Sequence, residues 1–440
     1  MHRIVILGAG FGGLQTAIEL LRELGRDTDC EILLVNEHNY FLFTPLLPQI
    51  ASSYINPRHI VQPVRDIRGR RNFRFRRDTV RAINVESRCV QLAGGRLEYD
   101  TLVVALGSQT DYFGLPGAGR HTRDFKTLED AVVLREHIID LCEHADHTSD
   151  ATARGRLLTF VIVGGGYTGV ELTGELQDFL FHYIAPRYRG IPGSDIQLIL
   201  LEAAQEILRG VHPGLAAHAR KRLRAEGIQV RTGARVTRCF EGGVEINGGE
   251  ILHASTVVWT SGVRAHPLAE ALPGPHDRRG RAQVNEHLQL QGHPEVFVVG
   301  DASAAATGTD PPQVAPVALD HGRIAARNIV RRLRGQPLES YKYVPQGMLI
   351  SLGMNYAVVS LGWLRFHGYF AWLFWNAVHL YRLVGFKKQV QVALDWMLGT
   401  IFPRDAAILR RPRGCKLCTP TRARADVIGA SAAGDPLSEG

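Results

Sequence analysis

The sequence predicts an α/β fold with two Rossmann-like domains followed by a smaller α+β module, and three observations support this prediction. A strand, a glycine-rich turn and a helix occur in the same order twice, beginning at residues 3 and 160. A second apolar strand follows each copy and ends at or next to an acidic residue. From residue 340 onward, the pattern changes to short strands and then to aromatic-rich helices.

Composition narrows the class of protein. The 440 residues are 45% hydrophobic and 21% charged, which excludes collagen-like, low-complexity and wholly disordered chains. The 46 glycines are about a tenth of the chain and lie in clusters, whereas the usual share is about 7%. The net charge is +8, but no nucleic-acid-binding motif accompanies it, so we expect no nucleic-acid partner.

The cysteines, the N-terminal residues and the most apolar stretch of the sequence add further expectations. Six cysteines are too few for a disulfide framework, and Cys415 and Cys418 form a lone CxxC without the four ligands of a zinc site. We therefore expect a reduced, non-catalytic pair and no metal. No signal peptide precedes the apolar strand at Ile4. The most apolar stretch, 366–381, has 16 residues, fewer than the roughly 20 of a spanning helix.

The first glycine cluster has the spacing of a dinucleotide-binding turn. Gly8 permits the tight turn, Gly10 lets the backbone approach a pyrophosphate, and Gly13 lets the helix pack against the strand. The helix N-terminus then faces the phosphates with its partial positive charge. The next strand is followed by Asn36 and Glu37, either of which can reach a ribose hydroxyl. The predicted cofactor-binding residues of this unit are Gly8, Gly10, Phe11, Gly12, Gly13, Asn36 and Glu37.

The second cluster repeats this pattern. Its partner strand ends at Glu202, which can accept a hydrogen bond from a 2′-hydroxyl and repel a 2′-phosphate, so we predict NADH rather than NADPH. Two such units predict two dinucleotides held against each other, one flavin and one nicotinamide, with hydride passing between them. The predicted binding residues of this unit are Gly164, Gly166, Tyr167, Thr168, Gly169 and Glu202.

Three further strand ends fit this arrangement. Ala105 and Gly107 end a strand where the chain leaves the first domain, and Gly262 ends a similar strand in the second. Gly300 and Asp301 end another strand, where an acid can hydrogen-bond the ribityl chain of a flavin. We include all five among the predicted cofactor-binding residues.

These motifs resemble the flavoproteins of the pyridine nucleotide–disulfide reductase fold. The CxxxxC pair of their dithiol members is absent, as is the three-cysteine set of sulfide:quinone oxidoreductases. The chain more closely resembles the type II NADH:quinone oxidoreductases, the non-pumping NADH dehydrogenases, over about residues 3–410. This resemblance rests on the stretches 39–48, 107–114, 164–172, 299–301, 368–373 and 395–405.

The resemblance implies FAD as cofactor, NADH as substrate and a quinone as acceptor. It also implies that Thr44 and Pro45 line the flavin and that Glu171 lies near the flavin and nicotinamide, where a buried carboxylate can relay protons. The alternative for Glu171 is an ordinary acid in the first turn of a helix. A peripheral position on the cytoplasmic side of the cell membrane is implied, and a homodimer stays open.

One stretch departs from the family. The quinone-site motif Ala-Gln-x-Ala-x-Gln corresponds to residues 315–320, where Pro316 and Asp320 replace both glutamines. Val317 and Ala318 of this stretch are predicted to contact the cofactor. The acceptor therefore stays open between ubiquinone, menaquinone and a non-quinone acceptor of a soluble FAD-dependent reductase. The alternative that is not an enzyme is a redox-sensing NADH-binding module.

The C-terminal region predicts strands over 342–352 and 357–361 and then two helices. Phe370, Leu373, Phe374, Ala377, Tyr381 and Val384 recur on one side of the first helix, opposite Asn376, His379 and Arg382. The second helix places Val390, Leu394, Met397, Leu398 and Ile401 on one face. Flanking tryptophans and basic residues favour helices that lie on a membrane surface, and the alternative is a pair packed on its own core or on a dimer partner.

The predicted domain organisation follows from these segments. Residues 1–118 and 285–335 form a discontinuous FAD-binding domain, and residues 119–284 form the NADH-binding domain. Residues 336–410 form the membrane-associating module, and 411–440 form a basic tail without predicted structure.

Overall fold

The computed structural model describes residues 1–25, 29–67, 72–307 and 310–408. Cys415, Cys418 and the predicted tail 411–440 lie outside these residues. The elements of the first part are β1 (His2–Leu7), α1 (Phe11–Leu24), β2 (Cys30–Asn36), β3 (Tyr40–Leu42), α2 (Leu47–Ala51), β4 (Val61–Pro63), β5 (Phe73–Arg77), β6 (Val80–Asn84), β7 (Cys89–Leu92), β8 (Gly95–Glu98), β9 (Thr101–Val104) and β10 (Ser108–Thr110).

The middle of the chain forms a second series of strands and helices. Its elements are α3 (Ala118–His121), β11 (Arg123–Asp124), α4 (Leu128–Asp146), α5 (Ala151–Leu157), β12 (Thr159–Val163), α6 (Tyr167–Gln177), β13 (Gln197–Glu202), α7 (Pro213–Ala225), β14 (Gln229–Thr232), β15 (Val236–Phe240), β16 (Gly243–Ile246), β17 (Glu250–His253), β18 (Thr256–Trp259), β19 (Val263–Ala265) and α8 (Pro267–Glu270). α6 continues directly into a π-helical segment, Asp178–Ile184.

The remaining elements complete the first domain and form the C-terminal module. They are β20 (Ala282–Val284), β21 (Gln289–Leu290), β22 (His293–Val298), β23 (Ser303–Ala305), α9 (Ala315–Leu333), β24 (Met348–Ser351), β25 (Ala357–Leu361), β26 (Leu364–Gly368), α10 (Tyr369–Arg382) and α11 (Phe386–Ile401).

The first sheet has eight strands in the spatial order β23-β20-β21-β22-β9-β1-β2-β5. The apolar run of β1 is fully buried between β2 and β9, and both pairings are parallel, because strands of parallel sheets are covered on both faces and read as continuous apolar runs. The strand β20 pairs in this sheet although it begins just before the predicted boundary at residue 285. The first sheet therefore contains strands that precede the second sheet in the chain and strands that follow it.

The second sheet is parallel and has the order β11-β18-β12-β13-β14. β12 lies in it as β1 lies in the first sheet, with α6 leaving at its carboxyl end. The two crossing segments between the domains, β10 and β19, pair antiparallel with each other. This pairing holds the carboxyl ends of both sheets next to each other, where open α/β sheets bind ligands.

The C-terminal module is a three-stranded antiparallel sheet, β24-β25-β26, followed by α10 and α11. Its first strand begins at Met348, later than predicted, and the third strand was not predicted. Its buried residues share one hydrophobic core with α2 and the second domain. The module is therefore packed against the domain that carries the second glycine loop.

The two C-terminal helices are apolar on the outside. On α10, Phe370 and Tyr381 are 78% and 86% exposed, whereas Asn376 is buried. The predicted apolar face of α11 is also exposed along its length, from Val390 to Ile401. The prediction that tryptophans flank these faces is wrong for Trp372, Trp375 and Trp396, which are buried in the core, whereas Trp363 is exposed. No helix in the described part of the chain is long and apolar enough to cross a membrane.

Candidate active site

A cavity of about 690 Å³ lies at the junction of the two sheets. Walls from both domains and from the C-terminal module enclose it, which is typical of a cofactor or substrate site. The predicted site residues that line it are Gly8, Gly10, Phe11, Gly12, Asn36, Glu37, Thr44, Pro45, Ala105, Gly107, Tyr167, Thr168, Glu171, Gly262, Gly300, Asp301, Pro316 and Ala318. The predicted residues that do not line it are Gly13, Gly164, Gly166, Gly169, Glu202, Val317 and Asp320.

The first glycine loop has the backbone geometry that its motif predicts. Gly8 has φ +100°, which disfavours any residue with a Cβ. A Cβ on Gly13 would lie 1.9 Å from the Gly8 carbonyl oxygen, so the helix can approach the strand only with glycine there. A Cβ on Gly10 would meet no atom within 4 Å. Gly10 is thus the loop position that points into open space.

The second loop reproduces this geometry. Gly164 has φ +113°, and a Cβ on Gly169 would lie 1.9 Å from the Gly164 carbonyl oxygen. A Cβ on Gly166 would again meet no atom within 4 Å. Neither Gly10 nor Gly166 caps its helix with a side chain, so both helix starts present free backbone N–H groups.

These observations test whether two dinucleotides fit the chain. A pyrophosphate needs an uncapped helix N-terminus and a backbone that it can approach closely, and both loops supply these features. The residues present therefore fit the pyrophosphate of one dinucleotide at each loop.

The polar residues at the ends of the two partner strands, Asn36 and Glu37 after β2 and Glu202 at the end of β13, differ in their contacts. The Asn36 Oδ1 accepts a hydrogen bond from the Ala9 amide at 3.0 Å, whereas Glu37 is exposed at the cavity. In the second domain, both Glu202 oxygens accept backbone hydrogen bonds, from Gly165 at 2.8 Å and Ala204 at 2.7 Å. Glu202 therefore fixes its glycine loop, a role that sequence reasoning did not assign to it.

A partly buried lysine of the cavity lining, Lys126, begins a chain of hydrogen bonds. Lys126 Nζ donates to Ser108 Oγ at 2.6 Å, and this hydroxyl donates to Asp301 Oδ2 at 2.6 Å. Burial lowers the pKa of Lys126, and the charges of Asp301 and Asp124 oppose this shift. Sequence reasoning missed Lys126, because its local sequence is that of an ordinary helix entry.

Glu171 lies where both domains and the C-terminal module meet. Its Oε1 accepts a hydrogen bond from the Ser351 amide of β24 at 3.1 Å. Burial raises the pKa of Glu171 to about 8, the Ser351 amide and the Trp375 indole oppose the shift, and the nearby Glu175 adds to it. A carboxyl that holds its proton near neutral pH can donate it to a substrate oxygen.

His379 is a second cavity residue that the sequence analysis placed only on the polar side of α10. Its Nδ1 donates to the Trp375 carbonyl at 2.7 Å, and its ring stacks on the Trp375 indole. Burial lowers the pKa of His379 to about 4, so the ring is neutral at physiological pH. Its placement could not be read from the sequence, because the helix turns Asn376 and His379 of the polar side towards the protein and leaves Arg382 exposed.

Pro316 and Asp320, which replace the two glutamines of the family's quinone-site motif, have different positions in the structure. Pro316 and Ala318 line the cavity at the start of α9, where proline fits the first turn of a helix. Asp320 accepts hydrogen bonds from Arg323 at 2.8 Å and from Gln346 at 2.7 Å and lies outside the cavity lining. The charge that we expected Asp320 to add to the quinone site is therefore paired with Arg323 and lies outside the cavity lining.

Comparisons with known proteins agree with this geometry. Residues 2–322 match the model of the pyridine nucleotide-disulphide oxidoreductases, and residues 346–405 match the NDH2 C-terminal domain. The chain is 34% identical to the type II NADH:quinone oxidoreductase Ndh of Mycobacterium tuberculosis, over 90% of this chain and 87% of that protein. The chain belongs to the type II NADH:quinone oxidoreductase family.

Two other relatives illustrate the range of this family. The demethylphylloquinone reductase NdbB of Synechocystis is 33% identical over 90% of this chain and 95% of its own length. The solved structure of NDH2 from Plasmodium falciparum in complex with NADH superposes with a TM-score of 0.85 at 19% identity, over 92% of this chain and all of that one. The family fold therefore extends over nearly all of the described residues.

Proposed function

We propose that this chain oxidises NADH and reduces a membrane quinone, ubiquinone or menaquinone, with FAD as the bound cofactor. The observation that supports this proposal is one cavity that both glycine-loop helices and the C-terminal module enclose, with Glu171 at their junction. Bound FAD would accept hydride from NADH and pass two electrons to the quinone. Residues 1–118 and 285–335 would hold FAD, and 119–284 would hold NADH.

The residues of the chain act mainly by positioning. The amides at Gly10 would bind the FAD pyrophosphate, Asp301 would accept a hydrogen bond from the ribityl chain, and Thr44 and Pro45 would contact the ring system. Lys126, through Ser108, orients the Asp301 carboxylate. Glu37 would accept the hydrogen bonds of the FAD ribose, because its side chain is exposed at the cavity.

The second loop would hold NADH. Replacing Glu202 by glutamine should raise the NADPH-to-NADH ratio of kcat/KM about tenfold, equivalent to about 1.4 kcal/mol, because it removes a charge that repels a 2′-phosphate. Steady-state kinetics with both nucleotides measures this ratio. Glu206→Gln, which removes an exposed acid from the same segment, is the control. An unchanged ratio in Glu202→Gln would show that Glu202 does not distinguish the 2′-hydroxyl of the NADH ribose from the 2′-phosphate of NADPH.

Glu171 would supply a proton to the quinone oxygen. Its raised pKa keeps the carboxyl neutral up to about pH 8, and the Ser351 amide holds it at the cavity. The neutral ring of His379 lies in the same cavity and would accept a hydrogen bond from the quinol product. Asp320, which is paired with Arg323, lies outside the lining of this part of the site.

The exposed apolar surface of α10 and α11 would dock on the membrane and let a lipophilic quinone reach the cavity. Replacing both Tyr381 and Ile401 by aspartate should abolish sedimentation with anionic lipid vesicles, because two charges would enter the apolar interface. Ile251→Asp changes an exposed apolar residue of the second domain and is the control. Vesicle binding that survives the double substitution would contradict the proposed surface.

The function as a whole is tested with the purified, flavin-loaded protein under anaerobic conditions. NADH should bleach the flavin absorbance, and soluble ubiquinone or menaquinone analogues should restore it within the turnover time. A flavin that stays bleached with every quinone would instead favour a non-quinone acceptor.

A further inference from the structure

A second cavity, of about 230 Å³, lies beside the carboxyl end of α11. Its lining comes from the segment after α2, from α4, and from the end of α11 with the residues that follow it. Within the part of the chain that the structure describes, the two cavities share no lining residue. The volume is below the roughly 300 Å³ at which sites for drug-sized ligands begin, so it suits a small polar group.

Two arginines supply the positive charge of this cavity. Arg135 extends from α4 with a side chain that is 11% exposed. Its Nε is buried and forms no hydrogen bond among the described residues, and its ion-pair partner Glu136 is distant, with Oε1 3.7 Å from Nη2. Arg404 donates from Nη1 to the Ser52 carbonyl at 3.0 Å and packs against the Tyr54 ring. A buried guanidinium needs acceptors, so this end of the cavity fits a ligand with anionic oxygens.

Two carboxylates in the same lining supply negative charge. Asp395 Oδ2 accepts a hydrogen bond from the Asn56 amide at 3.1 Å and contacts the His59 ring, whereas no such bond to Oδ1 is formed in the described ranges. Asp405 is exposed, and its Oδ1 accepts from the Ala407 amide at 3.0 Å. Neither acid forms an ion pair with the two arginines in the described part of the chain. The cavity therefore offers donors to an anion and acceptors to a cation.

The rim of this cavity is apolar and exposed. Leu398 and Phe402 both belong to the lining, and both side chains are exposed on the outside of the protein. Leu398 lies on the outward apolar face of α11, and Phe402 follows that helix directly. The charged interior therefore adjoins the surface that we propose to dock on the membrane. A ligand that carries both charges and apolar chains would match the interior and the rim together.

We propose that this cavity binds the headgroup of an ethanolamine phospholipid, with the phosphate at the two arginines and the ammonium at the two aspartates. This inference rests on the proposed membrane surface of α10 and α11. An anionic phosphoglycerol headgroup would leave both carboxylates without a cation, and a simple amine would leave Arg135 without an acceptor. A choline headgroup has the same charges, but its methylated nitrogen has no N–H group to donate to a carboxylate.

The test uses the purified, flavin-loaded protein and short-chain lipids below the concentration at which they form micelles. Isothermal titration calorimetry measures the affinity for dihexanoyl-phosphatidylethanolamine, for its choline and phosphoglycerol analogues, and for phosphoethanolamine without chains. The ethanolamine lipid should bind at least about tenfold more tightly than each of the other three, because it alone combines both charges, N–H donors and apolar chains.

Two variants separate the two ends of the headgroup. Arg135→Gln removes the buried cation and should weaken the binding of both the ethanolamine and the choline lipid at least about tenfold. Asp405→Asn keeps the Oδ1 that accepts from Ala407 and should remove only the preference for ethanolamine over choline. Arg156→Gln, which changes an exposed arginine of α5, is the matched control. Thermal melting and bound flavin verify that each variant is folded.

The outcomes separate this site from the proposed function. No binding of the ethanolamine lipid, equal affinity in Arg135→Gln, or phosphoglycerol lipid bound as tightly would overturn the site. Equal affinity for phosphoethanolamine and for the lipid would identify a soluble phosphoamine as the ligand and overturn the lipid assignment. The titrations need neither membrane nor quinone. Their failure would therefore reject this site alone, whereas the proposed membrane surface is tested by vesicle binding of the Tyr381 and Ile401 double variant.

Discussion

Replacing Gly10 by valine is expected to give a folded protein that binds no FAD. The added Cβ would meet no atom of the protein within 4 Å, so folding is expected to tolerate the substitution. It would fill the open space next to the uncapped start of α1, which is where the pyrophosphate must approach. The absorbance spectrum of the purified protein measures the bound flavin, and circular dichroism measures the fold.

Two matched glycines serve as controls for this experiment. Gly166→Val should keep the flavin and lose NADH binding, because the second loop has the same open position. Gly13→Ala should reduce the stability by more than about 3 kcal/mol, since its Cβ would lie 1.9 Å from a backbone oxygen. A Gly10→Val protein with a full complement of FAD would contradict the assignment of this loop.

Replacing Glu171 by glutamine is expected to lower the rate of quinone reduction about 100-fold, within the usual range for loss of a general acid. The amide keeps the size of the side chain but has no proton to give. Flavin bleaching by NADH and reduction of ferricyanide should persist, because neither needs this proton. Stopped-flow absorbance separates the two half-reactions, and an equal slowing of both would contradict the role.

The raised pKa of Glu171 also predicts how quinone reduction and folding stability change with pH. Glu171 donates only when protonated, so quinone reduction by the unmodified protein should decline as the pH rises through about 8. In the unfolded chain this carboxyl has an ordinary pKa near 4.5. The folded state therefore binds more protons between these values and loses stability as the pH rises. Glu171→Gln should consequently melt at a higher temperature than the unmodified protein at pH 8, and a lower melting temperature would indicate structural damage.

The two glycine loops and their strands could be predicted because their constraints are local. A positive φ at Gly8 and Gly164 and the contact of Gly13 with Gly8 arise within one strand, one turn and one helix. The glycine spacing is therefore sufficient to predict the backbone geometry of both cofactor-binding loops. The same reasoning covers the strand ends at Gly107, Gly262 and Gly300, which follow apolar runs along the chain.

Residues from separate segments could not be placed in this way. Lys126 is linked to Asp301 through Ser108 of β10, which pairs with β19 where the two domains meet. Ser351 donates to Glu171 from a strand 180 residues further along the chain. Their short-range sequence surroundings are those of an ordinary helix entry and an ordinary strand end. No periodicity signals such a contact.

The sequence by itself determined the two dinucleotide units, their order and the family of the chain, because turn geometry and strand burial depend on neighbouring residues. Only the tertiary structure decided which side of α10 faces the core. An apolar stripe looks the same in a sequence whether it packs on protein or faces a membrane. The core is already filled by Trp372 and Trp375, so the stripe from Phe370 to Tyr381 lies outside and His379 lies at the cavity.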